Sequence, residues 1–319
     1  MYYAVDQQRK EFSPRLIVWR VALSRYNEVE DVKPFTTHEC LLTIDSIVRT
    51  SKPIVVLTGE KVIQRTDLYE IVEYGVALGA KMIVEVRPED LSADILQRFH
   101  VFGPKVLRLA IDECIVEDAT TRYRQSPQFA VLEAAVRQLR KSGYEIHLGV
   151  TTMSPIVRQL AFEHDYAFRC AANGLYCHLC LDGNASPEVD QDERHVDEFI
   201  EAIAKAKSVS PKNMYVSPQC IKYGHAGGED DADEQSDMLW SHWCLGGKSV
   251  AFINLNGIVQ VCSGLQNECG DLRKNRYDFK SIWEKSVVFQ QLRKCTQTCS
   301  ETREMCKAEA THESEDNKK

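Results

Sequence analysis

The chain has 319 residues, of which 44% are hydrophobic and 27% are charged, so it can bury one large core and a smaller module. Its formal net charge of −8 argues against nucleic-acid binding, because phosphate contacts need clusters of Lys and Arg. No apolar run approaches the roughly 20 residues that a membrane span needs, and MYYAVDQQRKEF lacks an apolar secretory stretch, so we expect a cytoplasmic protein with no membrane partner.

Short apolar runs alternate with helical patterns between residue 15 and about residue 217. The expected strands are RLIVWRVAL, PIVVLT, KMIVEV, KVLRLAI, YEIHLGV and NMYVS. Between them, DLYEIVEYGVALG and FAVLEAAVRQLRKSG have apolar residues at helical spacing, with Gly79 and Gly143 placed as C-caps. This alternation predicts an α/β fold whose parallel strands are joined by crossover helices, in an open doubly wound sheet or in a full or partial barrel.

The C-terminal part of the chain has a different pattern. The acidic run HAGGEDDADEQSD at 225–237 is typical of an exposed loop. After it, SVAFINLNGIVQVC predicts two strands joined by a tight turn at Asn256-Gly257, and DFKSIWEKSVVFQQLRK predicts a helical stretch. A second, smaller module is therefore expected here.

Twelve cysteines in a chain without a signal peptide indicate metal or redox chemistry rather than a disulfide framework. Only Cys40 and Cys114 lie in the first 169 residues, whereas six cysteines lie between 244 and 306. Cys177 and Cys180 form a Cys-x-x-Cys pair that could bind metal or cycle as a disulfide, although incidental cysteines are the favoured interpretation. The cysteine chemistry is therefore expected near the C-terminus.

The order of segments resembles that of radical S-adenosylmethionine (SAM, or AdoMet) enzymes. PRLIVWRVALSRYN resembles their first strand, which continues in that family into Cys-x-x-x-Cys-x-x-Cys, and TTHECLLTIDSI resembles the helix that follows. VVLTGEKVIQRTDLYEIVEYGVALGAK resembles the next strand, the Gly-Gly-Glu turn and the next helix. The branch that looks most similar includes heme-biosynthesis and peptide-modifying enzymes with a C-terminal SPASM or twitch module.

This resemblance covers roughly residues 14–155 and 240–307. It implies a partial (β/α)6 TIM-type barrel followed by a small cysteine-rich SPASM/twitch-like module. The expected domains are a radical SAM-like barrel at 1–217, an acidic linker at 218–240, the SPASM/twitch-like module at 241–310 and a disordered tail at 311–319.

The loop after the first strand departs from the family pattern. Tyr26, Glu30 and Lys33 occupy the three positions where the family has cluster-binding cysteines, and none of these side chains can replace a soft thiolate. In TGEK, Glu60 and Lys61 stand where the family has its second Gly and its Glu, and a lysine would repel the amino group of SAM. SAM is therefore not expected as a cofactor.

The spacing of the C-terminal cysteines fits a metal site. Twelve residues separate Cys244 from Gly257 and four separate Gly257 from Cys262, which is the spacing that opens SPASM and twitch modules. The turn at Gly257 reverses the chain, so Cys244 and Cys262 are expected near each other. Three further candidate ligands follow, with the last two as the preferred pair and the first able to substitute: Cys295, Cys299 and Cys306. One auxiliary [4Fe–4S] cluster is implied, and four thiolates also fit Zn²⁺.

The expected function is that of a catalytically degenerate radical SAM/SPASM-like iron–sulfur protein. It would act as a partner, substrate-presenting or electron-relay subunit in peptide or tetrapyrrole modification. Its expected partners are an active radical SAM enzyme or a basic substrate peptide. Two alternatives stay open: an enzyme that uses Tyr26, Glu30 and Lys33 at the rim of the barrel for acid–base chemistry, and a zinc-stabilised binding protein.

Overall fold

The computed structural model describes residues 12–22, 33–59, 62–111, 127–152, 174–179, 214–216, 246–261 and 268–294. Within these ranges the strands are β1 Leu16–Arg20, β2 Ile54–Thr58, β3 Lys81–Val86, β4 Val106–Ile111, β5 Glu145–Thr152, β6 Gly174–Leu179, β7 Met214–Val216, β8 Val250–Ile253, β9 Ile258–Gln260 and β10 Gly270–Asp271. The α-helices are α1 Thr37–Ser51, α2 Leu68–Ala77, α3 Ala93–Phe102, α4 Pro127–Lys141, α5 Phe279–Lys285 and α6 Val287–Lys294. Short 3-10 helices cover Val62–Gln64 and Pro88–Asp90.

The strands form one sheet in the order β10-β9-β8-β1-β2-β3-β4-β5-β6-β7. Each neighbouring pair from β1 to β7 is parallel, and helices α1 to α4 cross over between consecutive strands of β1 to β5. The predicted α/β fold is confirmed: the molecule is built on a partial (β/α)6 TIM-type barrel. All six predicted strands are present, whereas β6 was not among them.

Local sequence signals explain where the helices begin and end. Thr36 caps α1 by accepting a hydrogen bond from the amide of Glu39, whose carboxylate accepts one from the amide of Thr36 in return. Gly79 and Gly143 follow α2 and α4 with positive φ angles of 89° and 76°, as expected of C-terminal glycines. The predicted C-terminal helical stretch is broken into α5 and α6, because Ser286 leaves the helical region with a ψ of 125°.

The sheet has two chemically different faces. Ile17, Trp19 and Val21 belong to the main core, in which the sheet packs against the helices. The opposite face, called the inner face here, carries a smaller apolar cluster of Leu16, Val56, Ile83 and Val106. Since side chains alternate along a strand, this pattern assigns Arg20 to the inner face as well.

The C-terminal segment extends the barrel sheet. Strand β8 pairs in parallel with β1, with Leu16 opposite Val250 and Trp19 opposite Ile253. Strands β9 and β10 then continue the sheet in antiparallel fashion, so the predicted hairpin is present. The proposed domain boundaries stay a prediction, and the linker 218–240 and the tail 311–319 lie outside the described residues.

Within the described residues, every helix is too short or too polar to span a lipid bilayer.

Candidate functional site

Polar side chains line the inner face where the parallel strands reach their carboxyl ends. Thr58 donates a hydrogen bond of 2.5 Å to Oε1 of Glu85, and a guanidinium nitrogen of Arg108 lies 3.4 Å from Oε2 of the same carboxylate. Arg20 lies opposite Thr58 in the strand register. We call Arg20, Thr58, Glu85 and Arg108 the inner polar row. In barrels and open parallel sheets, ligands bind at this end of the strands.

A glycine on β5 makes room for the ion pair. A Cβ atom at Gly149 would lie 2.7 Å from Cδ of Arg108 and 2.9 Å from Oε2 of Glu85. The side chains of Arg108 and Glu85 therefore lie close against the backbone of β5. Arg108 is only 5% exposed, and burial of a charge at this depth requires the opposite charge beside it.

The C-terminal strand β8 contributes to the same face. Phe252 lies opposite Val18, is 5% exposed, and its ring centroid is 5.6 Å from the guanidinium carbon of Arg20. This cation–π contact holds Arg20 at the end of β1. The inner polar row thus carries two arginines and one glutamate, a combination that favours ligands with carboxylate groups.

A second polar group continues the inner polar row onto β5, where His147 lies opposite Arg108 in the strand register. His147 is 4% exposed, and its Nε2 lies 3.0 Å from Glu145, which also pairs with Lys81 at 3.3 Å. Burial lowers the pKa of His147 to about 4, so this imidazole is neutral at neutral pH. A buried, neutral imidazole that is already hydrogen-bonded to a carboxylate fits a structural role.

The loop after β1 is held at both ends by Arg65. This guanidinium donates to the carbonyl of Val21 at 2.9 Å, to the carbonyl of Phe35 at 2.6 Å and to Sγ of Cys40 at 3.3 Å. Asp67 accepts two bonds from Arg65, and although burial opposes it, these bonds lower the pKa of Asp67. The chain therefore leaves the sheet and returns to α1 at fixed points.

The sequence-predicted rim residues are only partly covered by the structure. Tyr26 and Glu30 lie outside the described residues, as do Glu60 and Lys61. Lys33 is exposed, and its amide donates to Oδ1 of Asn256 in the turn of the C-terminal hairpin. A shared site of Tyr26, Glu30 and Lys33 at the rim stays a prediction.

The predicted metal ligands also lie outside the described residues: Cys244, Cys262, Cys295, Cys299 and Cys306. Cys40 and Cys269 are described, and both are buried. Among the described residues, no three His, Cys, Asp or Glu side chains come together as a metal site. The hairpin that was expected to bring Cys244 and Cys262 together is formed, since β8 and β9 pair with Ile253 opposite Val259.

The residues of the loop after β1 do not fit the ligand set of a [4Fe–4S] cluster. The sequence has no cysteine before Cys40. Cys40 is fully buried in α1, burial raises the pKa of its thiol to about 12, and its sulfur accepts a hydrogen bond from Arg65. A neutral thiol inside the core between helix and sheet cannot supply the thiolate that iron requires.

The sequence patterns did not predict the inner polar row. Its signal was present, because Glu85 and Arg108 are the charged residues inside the otherwise apolar runs MIVEV and VLRLAI. A charge in a strand that is buried on both faces is rarely tolerated without a partner. The strand register, which pairs Glu85 with Arg108, is the information that the sequence lacked.

Fold and site together define a partial α/β barrel with charged side chains on the inner face of its sheet. No family model matches the chain. The AdoMet-dependent heme synthase of Methanosarcina barkeri is 24% identical in an alignment of 301 positions that covers 88% of this chain and 85% of that protein. The protein of the same name from Nitratidesulfovibrio vulgaris is 23% identical over 274 residues, covering 81% of this chain and 73% of its own length.

Two solved structures share the fold. SuiB from Streptococcus suis, bound to S-adenosylmethionine, matches 88% of this chain with a TM-score of 0.58 and 9% identity, although the chain spans only 66% of SuiB. The enzyme anSMEcpe with bound AdoMet matches 90% of this chain and 88% of its own with a TM-score of 0.54 and 10% identity. At these identities the matches show a shared fold.

The relatives overturn the expected function. They are named as synthases, so the prediction of a catalytically degenerate partner subunit is wrong, and the alternative of new chemistry at Tyr26, Glu30 and Lys33 gains no support. The expectation that SAM is unlikely conflicts with the same names and with the AdoMet-bound neighbours. The error came from treating three lost thiolates in one loop as the loss of the whole site, whereas the similarity extends along most of the chain.

Proposed function

We propose that this protein is an AdoMet-dependent enzyme that acts on a tetrapyrrole of the heme type. The observation that carries the proposal is the similarity to AdoMet-dependent heme synthases along 88% of the chain. The ligand-facing end of the barrel supports it, because the inner polar row supplies cations and hydrogen-bond acceptors where a ligand of a parallel sheet binds.

The inner polar row has a chemistry that suits both ligands. AdoMet carries a carboxylate and ribose hydroxyls, and tetrapyrroles of the heme type carry carboxylate side chains. Arg20 and Arg108 can bind carboxylates, while Glu85, already placed by Thr58 and Arg108, can accept bonds from hydroxyl or ammonium groups. Because Tyr26, Glu30 and Lys33 offer no thiolate, the proposed activity includes no step at a cluster held by that loop.

The finer features belong to the proposal as well. Cys244 and Cys262, with Cys299 and Cys306 or Cys295, would hold one auxiliary [4Fe–4S] cluster in a SPASM/twitch-like arrangement, and Zn²⁺ is the alternative metal. Such a cluster supplies one-electron chemistry when bound. An active radical SAM enzyme or a basic peptide as partner stays a prediction.

The test uses protein purified without oxygen. We expect saturable AdoMet binding by calorimetry, a shift of the absorption spectrum of an added iron tetrapyrrole, and a change in that tetrapyrrole's mass that depends on AdoMet. The variant Glu85→Gln should lose at least tenfold in kcat/KM, whereas Glu133→Gln on the surface of α4 should keep the wild-type value. Absence of both AdoMet binding and tetrapyrrole binding would refute the proposed function.

A further inference from the structure

Arg273, the second residue after β10, joins three separate parts of the chain. Its Nε lies 2.8 Å from Oε1 of Glu39 in α1. It donates to the carbonyl of Asn256 in the hairpin turn at 2.9 Å, and to the carbonyls of Lys33 and Pro34 at 2.9 and 3.2 Å. An arginine has five N–H donors in a rigid fork, so it can satisfy all these acceptors at once.

The guanidinium of Arg273 also lies on an aromatic surface. Its central carbon is 4.4 Å from the ring centroid of Phe35, which is 4% exposed. Phe35 makes edge contacts with Trp19 and Tyr277, each with ring centroids 5.8 Å apart. The cation is thus held by a ring that belongs to the segment it contacts.

Glu39 fixes the opposite side of the cluster. It accepts bonds of 2.8 Å from the hydroxyl of Tyr277 and from the amide of Thr36. The bond from Arg273 is the main reason that the pKa of Glu39 is lowered to about 2, so the ion pair persists throughout the neutral range. Only 23% of the Arg273 side chain and 15% of the Glu39 side chain are exposed.

The hairpin turn approaches the same segment from the other side. The amide of Lys33 donates to Oδ1 of Asn256. A Cβ atom at Gly257 would lie 2.3 Å from the ring of Phe35, so only glycine permits this approach. The backbone of residues 33–35 therefore contacts both the hairpin turn and Arg273, and only the ring of Phe35 is buried between them.

We propose that Arg273 is a positioning residue through which the C-terminal hairpin fixes the returning end of the β1–α1 connection at the rim of the barrel. Arg65 donates hydrogen bonds to the carbonyls of both Val21 and Phe35. It therefore couples the position of Phe35 to the end of β1, where Arg20 lies. A rim that is held in place before ligand binding raises ligand affinity. This consequence for the ligand rests on the proposed AdoMet-dependent function.

The experiment compares Arg273→Gln, Arg273→Lys and the neighbouring Lys274→Gln. Lys274 is the matched control, because its side chain is 77% exposed and Lys274→Gln makes the same change of charge. In the protein without ligand, hydrogen exchange of peptides covering 33–40 and 254–258 should become at least tenfold faster in Arg273→Gln. Arg273→Lys should show the same increase, because one ammonium cannot reach Glu39 and three carbonyls together. Exchange in β3 and β4 reports whether each variant is folded.

AdoMet binding gives the second measurement. The dissociation constant should rise about tenfold in both Arg273 variants and stay at the wild-type value in Lys274→Gln. Unchanged exchange at 33–40 in folded Arg273→Gln, or full protection in Arg273→Lys, would overturn the positioning role. If the wild type does not bind AdoMet, the proposed function fails, whereas the exchange of peptide 33–40 still decides the role of Arg273.

Discussion

Glu85 and Arg108 form an ion pair on the inner face of the barrel sheet. Each lies in a strand whose other residues are mainly apolar, and each has the other as its ionic partner. Thr58 adds a hydrogen bond and Gly149 leaves space, so four strands cooperate to place one carboxylate. A carboxylate fixed in this way needs little rearrangement when a ligand arrives.

Removal of one partner should cost more than removal of both. Arg108→Met should lower the free energy of unfolding by about 2–3 kcal/mol, because it leaves Glu85 without its cation in a largely buried place. The double variant with Glu85→Gln should recover part of this loss, giving a coupling energy of about 1–3 kcal/mol in a double-mutant cycle measured by urea unfolding. Arg137→Met removes an exposed pair on α4 and should cost about 0.5 kcal/mol or less. Additive single effects at Glu85 and Arg108 would contradict the pairing.

His147 predicts how stability depends on pH. Its pKa is about 4 in the folded protein, because burial disfavours the charged ring, and about 6.5 in the unfolded chain. The unfolded state therefore takes up a proton first as the pH falls, so stability present above pH 6.5 is lost between about pH 6.5 and pH 4. The loss should be on the order of 2–3 kcal/mol in urea unfolding followed across this range.

The control variants isolate the contribution of His147. His147→Gln should flatten the pH profile between pH 6.5 and pH 4. His100→Gln on the exposed surface of α3 should leave the profile unchanged. An unaltered slope in His147→Gln would show that another group causes the acid destabilisation.

At the scale of elements, the most informative one is the hairpin of β8 and β9. Its turn contacts the rim through Asn256 and Gly257, and its first strand pairs with β1. The same short element therefore closes the sheet on one side and holds the segment that leads into α1. Substitutions in the turn of this hairpin should therefore change the position of the rim residues that it contacts.

Gly257 and Gly143 provide a matched pair of substitutions. Both have positive φ angles, 84° and 76°, so alanine is strained at either position. Only Gly257 lies against another side chain, since nothing lies within 4 Å of a Cβ at Gly143. Gly143→Ala should cost about 1 kcal/mol and Gly257→Ala about 3 kcal/mol in urea unfolding. Equal costs would mean that the contact with Phe35 contributes nothing.

Sequence patterns were sufficient for the elements that depend on local signals. The apolar runs predicted the parallel strands, and Gly79 and Gly143 marked the ends of two helices. The pairing of β8 with β1 was not predicted, because a hydrogen-bonded ladder between segments more than 200 residues apart leaves no trace in periodicity. The break at Ser286 was not predicted either, because the helical spacing of apolar residues continues across it and gives no sign of an interruption.

At the scale of the whole molecule, the C-terminal cysteines are the candidate metal ligands. Protein prepared without oxygen should contain about four irons and four sulfides per chain. Cys244→Ala and Cys262→Ala should each remove this metal, whereas Cys40→Ala should retain it, because Cys40 is a residue of α1 that is buried in the core. Elemental analysis of the three variants checks the prediction. If the protein contains zinc and no iron, the metal site is confirmed and its metal is Zn²⁺. Retention of metal in Cys244→Ala and Cys262→Ala would contradict the ligand assignment.

The parallel pairing of β8 with β1 has a consequence for synthesis on the ribosome. Strand β1 is made first, but one of its two edges is covered only when residues 250–253 arrive more than 200 residues later. Until then the nascent barrel exposes a row of unpaired amides and carbonyls beside an apolar strand, which is the kind of edge that joins neighbouring chains into aggregates. Folding of the first strand therefore depends on one of the last segments, which makes this a fold of high contact order that is slow to complete. Shortened chains that end before β8 lack the strand that covers this edge.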